Sequence, residues 1–251
     1  MSSPWDRRLA ARSLAIAGVA ALVALLVIVT TDDGAPWRRR LSMWAAVAPV
    51  LGALGTFAAA RIAIGRGEIS ALAALGVDPA RSARGAAAGG AIAGLAGLFV
   101  AASGWADLEA LFPRAAEARA WTVEGDQALR EATLGIRVEA GGSVTFVGEP
   151  EALKKERAGL PEMAEEAAIA TLGIAAFACP LWVVEGLDAR SRPAKDRRYR
   201  RGIVVLIAIA MLIAAFQVAA AARASPLWLL ASPILLLADA LAMRYRARRA
   251  V

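Results

Sequence analysis

The stretch GIVVLIAIAMLIAAFQVAAAA (residues 202–222) contains 21 residues and no charged side chain. A helix of that length rises about 30 Å, which is the thickness of the hydrocarbon core of a bilayer. Five further runs of 18 to 22 residues carry no charge except Asp239 in the last run, and they are residues 13–31, 41–60, 85–106, 167–184 and 224–243. The sequence therefore predicts an all-α polytopic membrane protein with six transmembrane helices.

The composition excludes several kinds of site. The chain is 59% hydrophobic with a mean hydropathy of +0.54, and it contains no histidine and one cysteine. A Ser-His-Asp triad, a Cys-His pair and a His/Cys zinc site are therefore excluded, and no disulfide can form within the chain. Cys179 lies in an apolar run, where a small buried thiol is expected. The net charge of +7 comes from basic residues that border the apolar runs, which indicates topology and not nucleic-acid binding.

The apolar runs divide the chain into three parts. We expect residues 1–106 to hold helices one to three, residues 107–166 to form a small β-containing insert, and residues 167–251 to hold helices four to six with a basic loop at 185–201. Within the insert, TLGIRVEA (133–140) and SVTFVG (143–148) flank Gly141 and Gly142, which predicts a β-hairpin within a sheet of two to four strands. Residues 151–170 are expected to be a charged helical approach to the fourth span.

Basic residues set the expected orientation. With the N-terminus in the cytoplasm, the segments 1–12, 61–84, 185–201 and 244–251 hold 18 of the 29 Lys and Arg residues, as the positive-inside rule requires. An even number of spans then places both termini in the cytoplasm and the insert outside. The first run follows a basic start like that of a signal peptide, but it is long for one and lacks a convincing cleavage site, so we expect a retained helix.

The connection between the second and third runs, RGEISALAALGVDPARSARG (66–85), is too polar to cross a bilayer. Its apolar residues recur at helical spacing beside Glu68 and form a stripe of Ile69, Leu72, Ala73, Ala74 and Leu75. Gly76 is expected to stop this helix, and Asp78 is expected to cap the next one with Pro79 at its first position. The sequence thus predicts a short helix and a turn on the inner face of the membrane.

Two interpretations of this connection remain open. It is either an interfacial helix that anchors the chain to the membrane surface, or a coupling helix that fits a groove on a cytoplasmic ATPase. In the second case Glu68 would bind a basic residue of the ATPase, and Leu72 and Leu75 would be apolar anchors.

Three stretches resemble the permease family of the lipopolysaccharide export system, LptF/LptG. GRGEISALAALGVDPARSARG (65–85) is similar to the pattern that follows the family's second span, where an acidic residue, a short helix and a glycine precede the third span. PLWVVEGLDARSRPAKDRRYRRGIVVLIAIAMLIAAF (180–216) stands where the family has a basic loop between spans four and five. SPLWLLASPILLLADALAMRYRARR (225–249) resembles the last span and basic tail. The resemblance covers the membrane part of the chain, whereas the insert is too short for the family's complete periplasmic β-jellyroll.

The resemblance implies the permease subunit of an ATP-driven lipid or lipopolysaccharide exporter in the bacterial inner membrane. Its partners would be a cytoplasmic ABC ATPase dimer, a second identical or related permease subunit, the transported lipid and, by extension, periplasmic bridge components. The chain has no G-x-x-x-x-G-K-[ST] motif, so ATP and Mg²⁺ are expected to bind the partner ATPase, and no catalytic residue, metal ion or cofactor is expected here. The resemblance carries the coupling role to Glu68, and the candidate coupling residues are Glu68, Leu72, Leu75, Gly76 and Asp78.

A second candidate site lies in TDDGAPWRRR (31–40), at the outer end of the second span. Arg38, Arg39 and Arg40 oppose the inside bias of the other basic residues, and their guanidinium groups suit the phosphate oxygens of a lipid A-like molecule. The alternative is that they extend to lipid headgroups beside Trp37 in an ordinary interfacial belt. Arg223 carries the same ambiguity.

Two further features concern the spans themselves. Asp239 is the one acidic residue within a predicted span and lies about one turn from Arg244, so we expect it to be solvated at the inner interface and not to act as a proton relay. The stretch GAAAGGAIAGLAG (85–97) holds glycines that permit close helix contact.

Two alternative functions stay open beside the exporter. One is a phospholipid-trafficking permease of the MlaE type, although the 3+3 layout and the early position of the motif speak against it. The other is a membrane scaffold or assembly protein with no transport role, in which residues 66–84 only anchor the chain.

Overall fold

The computed structural model describes residues 3–31, 34–112, 121–123, 129–131, 136–139, 141–146, 163–187, 194–220 and 224–249. The chain divides into two compact units, of which unit 1 comprises residues 1–113 and 163–251 and unit 2 comprises residues 114–162. Most of the expected charged helix before the fourth span, at 151–162, lies outside the described residues. So do residues 188–193 of the basic loop, and Arg223.

Unit 1 is built from helices, six of which are long and apolar enough to cross a bilayer. The described helices are α1 (Pro4–Thr31), α2 (Trp37–Gly65), α3 (Glu68–Ala74), α4 (Pro79–Ser82), α5 (Arg84–Ala102), α6 (Ala164–Glu185), α7 (Ala194–Ala220) and α8 (Ala231–Arg249). The six spans are α1, α2, α5, α6, α7 and α8, with the last one preceded by a 3₁₀ turn at Pro226–Leu230. The prediction of an all-α membrane protein with three spans on each side of an insert is confirmed.

Helix α1 begins nine residues earlier than the apolar run that predicted it, at Pro4 instead of residue 13. The cause is a capping box around Pro4. The backbone N–H of Asp6 donates to the Ser3 hydroxyl at 3.1 Å, and the backbone N–H of Ser3 donates to the Asp6 carboxylate at 3.1 Å. Reciprocal caps of this kind satisfy donors that a helix start leaves free. The basic N-terminal segment is therefore part of the first helix.

Large apolar side chains of the spans are often exposed in this chain. Leu22 on α1 is 69% exposed and Leu206 on α7 is 68% exposed. Many of the most buried residues are small, because alanine dominates the interior of the bundle. Exposed apolar surface of this extent is unfavourable in water but matches hydrocarbon. The distribution is that of a helical bundle surrounded by lipid.

Helix α5 packs against α1, α2 and α6 through glycines. A side chain at Gly89 would overlap the Ala10 backbone on α1, one at Gly90 would overlap Gly52 and Thr56 on α2, and one at Gly94 would come within 2.9 Å of Ala176 on α6. Backbones approach this closely only where no Cβ separates them. The prediction that the 85–97 stretch permits close helix contact is confirmed.

Helix α2 contains a buried proline near its middle, Pro49. Proline has no N–H, so the carbonyl of Ala45 lacks the donor that the fourth residue after it would supply. Gly97 of α5 packs here, because a side chain at Gly97 would come within 3.0 Å of the Ala45 carbonyl oxygen. The backbone of α5 therefore covers the irregular part of α2.

The second half of unit 1 is arranged around α6. Helix α6 packs on α2 and α5 on one side and on α8 on the other, while α7 packs mainly on α8 and on the 3₁₀ turn Pro226–Leu230. Together with α1, helix α7 is among the least buried spans, with 17% of its apolar window inside the bundle. Among the polar contacts between α7 and α8, the Ser232 hydroxyl at the start of α8 donates to the Ala208 carbonyl near the middle of α7 at 2.8 Å.

Unit 2 contains a four-stranded antiparallel sheet in the order β1 (Trp121–Val123), β2 (Leu129–Glu131), β3 (Ile136–Val138) and β4 (Val144–Phe146). Strands β3 and β4 pair with Val138 opposite Val144. Between them Gly142 has a φ of +80°, a conformation that glycine adopts without strain. The predicted hairpin and the predicted number of strands are confirmed.

Candidate functional site

The connection at residues 66–84, which we call the 66–84 connection, folds as two short helices between the spans α2 and α5. Helix α3 ends in a Schellman motif, in which the N–H of Gly76 donates to the Ala73 carbonyl and the N–H of Val77 donates to the Leu72 carbonyl, both at 3.0 Å. Gly76 has a φ of +83°, which a residue with a Cβ rarely adopts. The prediction that Gly76 stops the helix is confirmed.

Asp78 begins the second short helix. Its carboxylate accepts a hydrogen bond from the backbone N–H of Ala80 at 3.0 Å, and Pro79 occupies the first helical position. The Ser82 hydroxyl donates to the Asp78 carbonyl at 3.1 Å. The predicted cap is confirmed, and the glycine stop and the aspartate cap together fix the turn between α3 and α4.

The inner side of the 66–84 connection is buried against the bundle. Ile69 is 4% exposed and belongs to an apolar cluster that joins the first turns of α1 to the ends of α2 and α6. The buried members of this cluster are Leu9, Ala59, Ala63, Ile69, Ala80, Ala83, Ala86 and Val184. The indole N–H of Trp5 donates to the Ser82 carbonyl at 2.8 Å. Both contacts hold the connection against α1.

Glu68 has a partner within the chain. Its carboxylate lies 3.4 Å from the guanidinium of Arg12 on α1, and both side chains are about 70% buried, with exposed fractions of 28% and 30%. The sequence alone suggests that Glu68 is available for a basic residue of another protein. In this structure the carboxylate already pairs with Arg12, so a second cation would share it or replace Arg12.

The outer side of the 66–84 connection is apolar at one point. Leu75 is 80% exposed, whereas Leu72 is half-buried. The predicted apolar stripe is therefore not one continuous face, because Ile69 points into the bundle while Ala74 and Leu75 lie outside it. The cause is helical geometry, because successive residues of a helix point about 100° apart and residues 72–75 cannot all lie on the face of Ile69. Leu75 lies at the C-cap, just after the last helical residue. The exposed apolar anchor is Leu75.

The three arginines at 38–40 lie at the start of α2, about 40 Å of helix away from the 66–84 connection. The guanidinium of Arg38 donates to the Gly104 carbonyl at 2.8 Å, just after the end of α5. Arg39 is exposed and Arg40 is half-buried. Arg38 therefore contributes to the end of α5, and the structure does not bring this candidate site together with the first.

Exposed tryptophans lie at the same ends of the spans as these arginines. Trp37 precedes Arg38 and is 52% exposed, Trp105 follows α5 and is 59% exposed, and Trp228 precedes α8 and is 63% exposed. Tryptophan is enriched where the hydrocarbon of a bilayer meets the headgroups. This placement fits the interfacial-belt interpretation of Arg38, Arg39 and Arg40, and it leaves phosphate binding as a proposal.

Asp239 is not solvated, which corrects the expectation from the sequence. Its side chain is 9% exposed and pairs with the guanidinium of Arg200 on α7. Its second oxygen accepts a hydrogen bond from the indole N–H of Trp182 on α6 at 3.0 Å. The expectation failed because it considered Arg244 on the same helix, whereas the partners are on neighbouring helices. A buried charge requires such partners.

Arg201 on α7 belongs to the same polar group and contacts the end of α6. Its guanidinium lies 4.4 Å from the centre of the Trp182 ring and donates to the Trp182 carbonyl at 3.1 Å and the Val183 carbonyl at 3.3 Å. These carbonyls belong to the last turn of α6, where a cation is favoured by the helix dipole. We call Trp182, Arg200, Arg201 and Asp239 the Asp239 cluster. The sequence signals that could have found it are one carboxylate inside an apolar run and two arginines at the start of another.

No family model, curated protein or solved structure matches the chain. Within the part of the chain that the structure describes, no three His, Cys, Asp or Glu side chains are grouped so that they could hold a metal ion. The candidate sites are therefore a connection between spans, a basic segment at the opposite end of α2, and a buried charged cluster.

Proposed function

We propose that this chain is the permease subunit of an ATP-driven exporter of lipid or lipopolysaccharide in a bacterial inner membrane. It would work with a cytoplasmic ABC ATPase dimer and with a second permease subunit. The observation that carries the proposal is Leu75, which is 80% exposed beside a short helix whose other side is buried through Ile69. An apolar anchor presented in this way suits a groove on a partner protein.

The contacts of the 66–84 connection support a role in passing on force. The connection is tied to α1 by the Arg12–Glu68 ion pair and by the bond from Trp5 to Ser82. A displacement of the connection would therefore move the first turns of α1 with it. Closure of an ATPase dimer against Leu75 would reach the spans by this route and reduce the space between two permease subunits.

The distribution of basic residues supports a cytoplasmic location for the 66–84 connection. Arg61, Arg66, Arg81 and Arg84 are exposed around it, and Arg7 and Arg8 are exposed on the adjacent start of α1. Positive charge in short loops favours the cytoplasmic side. This end of the bundle would then face the ATPase, and unit 2 would be the periplasmic insert.

Mild extraction of the affinity-tagged chain from its native membrane tests the proposal. A P-loop ATPase is expected to co-purify in a stoichiometric amount, and lipids extracted from the complex identify the substrate by mass spectrometry. Recovery of the chain without an ATPase, even after chemical cross-linking in intact cells, would show that it is a scaffold or anchoring protein and would overturn the proposal.

A further inference from the structure

The Asp239 cluster brings charged side chains into the bundle near the end of α6, where Glu185 is also buried. Asp239 lies on α8, Arg200 on α7 and Trp182 on α6, and the carboxylate contacts both of the other side chains. The same indole that donates to Asp239 is covered by the guanidinium of Arg201. Four side chains thus connect three spans within one polar group.

Two other contacts of α7 with described residues bear on its position: the hydrogen bond from Ser232 to the Ala208 carbonyl, and the packing of Phe216 on Phe112, whose ring centres are 5.2 Å apart. The buried side chains of α7 face α8 and the 3₁₀ turn Pro226–Leu230, and most of its large aliphatic residues are exposed. One face of α7 carries Val204, Ala208, Leu212 and Ala215, of which the two alanines are buried and the other two residues are half-buried. A slide of one helical turn would replace one aliphatic residue with another at each contact. Such a slide would bring Leu212 or Val204 to the place of Ala208, which overpacking disfavours, and the charges of the Asp239 cluster add a second preference for the same register.

We propose that the Asp239 cluster helps to set the register of α7 against α6 and α8. A shift of one turn would carry Arg200 about 5 Å along the helix axis and leave the buried carboxylate of Asp239 without its cation. An unpaired buried charge is strongly disfavoured, whereas a buried ion pair adds little net stability compared with well-packed apolar residues. The cluster therefore selects one alignment and contributes little to overall stability. This role does not depend on what the protein transports.

Disulfide cross-linking between α7 and α8 measures the register directly. Cys179 is the one cysteine of the chain, so Cys179→Ser provides a cysteine-free background. The in-register reporter carries Ala208→Cys and Ser232→Cys, because the Ser232 hydroxyl contacts the Ala208 carbonyl. The off-register reporter carries Leu212→Cys and Ser232→Cys, which become adjacent only if α7 slides by one turn.

The decisive variant removes both charges together, as Arg200→Met with Asp239→Leu. We expect it to insert and fold, and we expect the ratio of in-register to off-register cross-linking to fall by about tenfold, which corresponds to about 1.4 kcal/mol of lost preference. Arg200→Lys keeps the cation and is expected to keep the ratio of the parent chain. Arg246→Met changes an exposed arginine of α8 outside the cluster and serves as the matched control.

Three results would overturn the proposal. The first is a parental ratio in the double variant, which would mean that apolar packing sets the register by itself. The second is a loss of both cross-links together with a collapse of thermal stability, which would mean that the cluster stabilises the bundle as a whole. The third is an equal change of the ratio in Arg246→Met.

Discussion

Arg12 on α1 and Glu68 on α3 form an ion pair in which Nη1 and Oε2 are 3.4 Å apart, although 56 positions separate the two residues in the sequence. The pair joins the first long helix to a helix of seven residues. It gives the 66–84 connection a defined position before any partner binds.

The energy of this ion pair is accessible to a double-mutant cycle. Arg12→Gln and Glu68→Gln are each expected to lower the free energy of unfolding by about 0.2–1 kcal/mol, the range of partly exposed pairs. The double variant is expected to lose no more than either single variant, because both remove the same interaction. Thermal unfolding in detergent measures all three, with the exposed Arg8→Gln on the same helix as the control. Strictly additive losses would mean that the two side chains do not interact.

Leu75 is expected to decide whether an ATPase binds. Leu75→Asp would place a charge in the apolar contact with the partner, so the amount of co-purified ATPase should fall by about tenfold or more. Ser70→Asp adds the same charge to an exposed position elsewhere on α3 and should leave the association intact. Glu68→Ala is expected to weaken association or lipid-stimulated hydrolysis without affecting membrane insertion. Unchanged association in Leu75→Asp would remove the role assigned to this residue.

Gly90 is expected to tolerate no side chain. A Cβ at this position would overlap the Thr56 hydroxyl and the Gly52 carbonyl, so Gly90→Ala should lower the stability by about 1–3 kcal/mol. Gly18 lies within α1 with no heavy atom within 4 Å of a Cβ, and Gly18→Ala should be neutral or stabilising because alanine favours a helix. Thermal unfolding of the two variants compares the same chemical change at both sites. Equal effects would contradict the close packing of α2 and α5.

The arginines at the start of α2 are expected to act on lipid and not on the ATPase. Replacement of Arg38, Arg39 and Arg40 with glutamine should reduce lipid export in reconstituted vesicles while ATPase association stays at the parental level. Replacement of Arg38 alone is a necessary comparison, because its bond to Gly104 gives it a structural role. Full export by the triple variant would identify these residues as part of the interfacial belt.

The local features of the 66–84 connection were predictable from the sequence because each depends on neighbouring residues. Gly76 stops α3 through its own backbone conformation, and Asp78 caps α4 through a bond to Ala80, two positions away. The exposure of Leu75 could not be predicted, because helical spacing does not specify which face of α3 packs against the bundle. The six spans were predictable for the same reason as the turn, since a continuous apolar run needs no distant partner.

The contacts between distant segments could not be read from the sequence. Asp239 was expected to be solvated, and its partner Trp182 lies 57 positions earlier. In the sequence Arg12 is one of the basic residues that indicate topology, whereas in the structure it also binds Glu68. In each case the sequence identifies a charge that needs a partner but not which of many arginines or aromatic residues supplies it. The sequence predicts that the glycines of α5 permit close helix contact, but it does not identify the helices that they contact.

Pro49 on α2 and Gly97 on α5 are connected through the Ala45 carbonyl, which lacks its helical donor because of Pro49 and lies against Gly97. In hydrocarbon there is no water to solvate the Ala45 carbonyl that Pro49 leaves without its helical donor, so a neighbouring backbone has to shield it. The absence of a side chain at Gly97 allows that shielding. Replacing Pro49 alone would not make room at position 97, because a side chain there would also overlap the Ala48 Cβ. The proline therefore depends on the glycine for its shielding, whereas the glycine is required by the close packing of the two helices in any case.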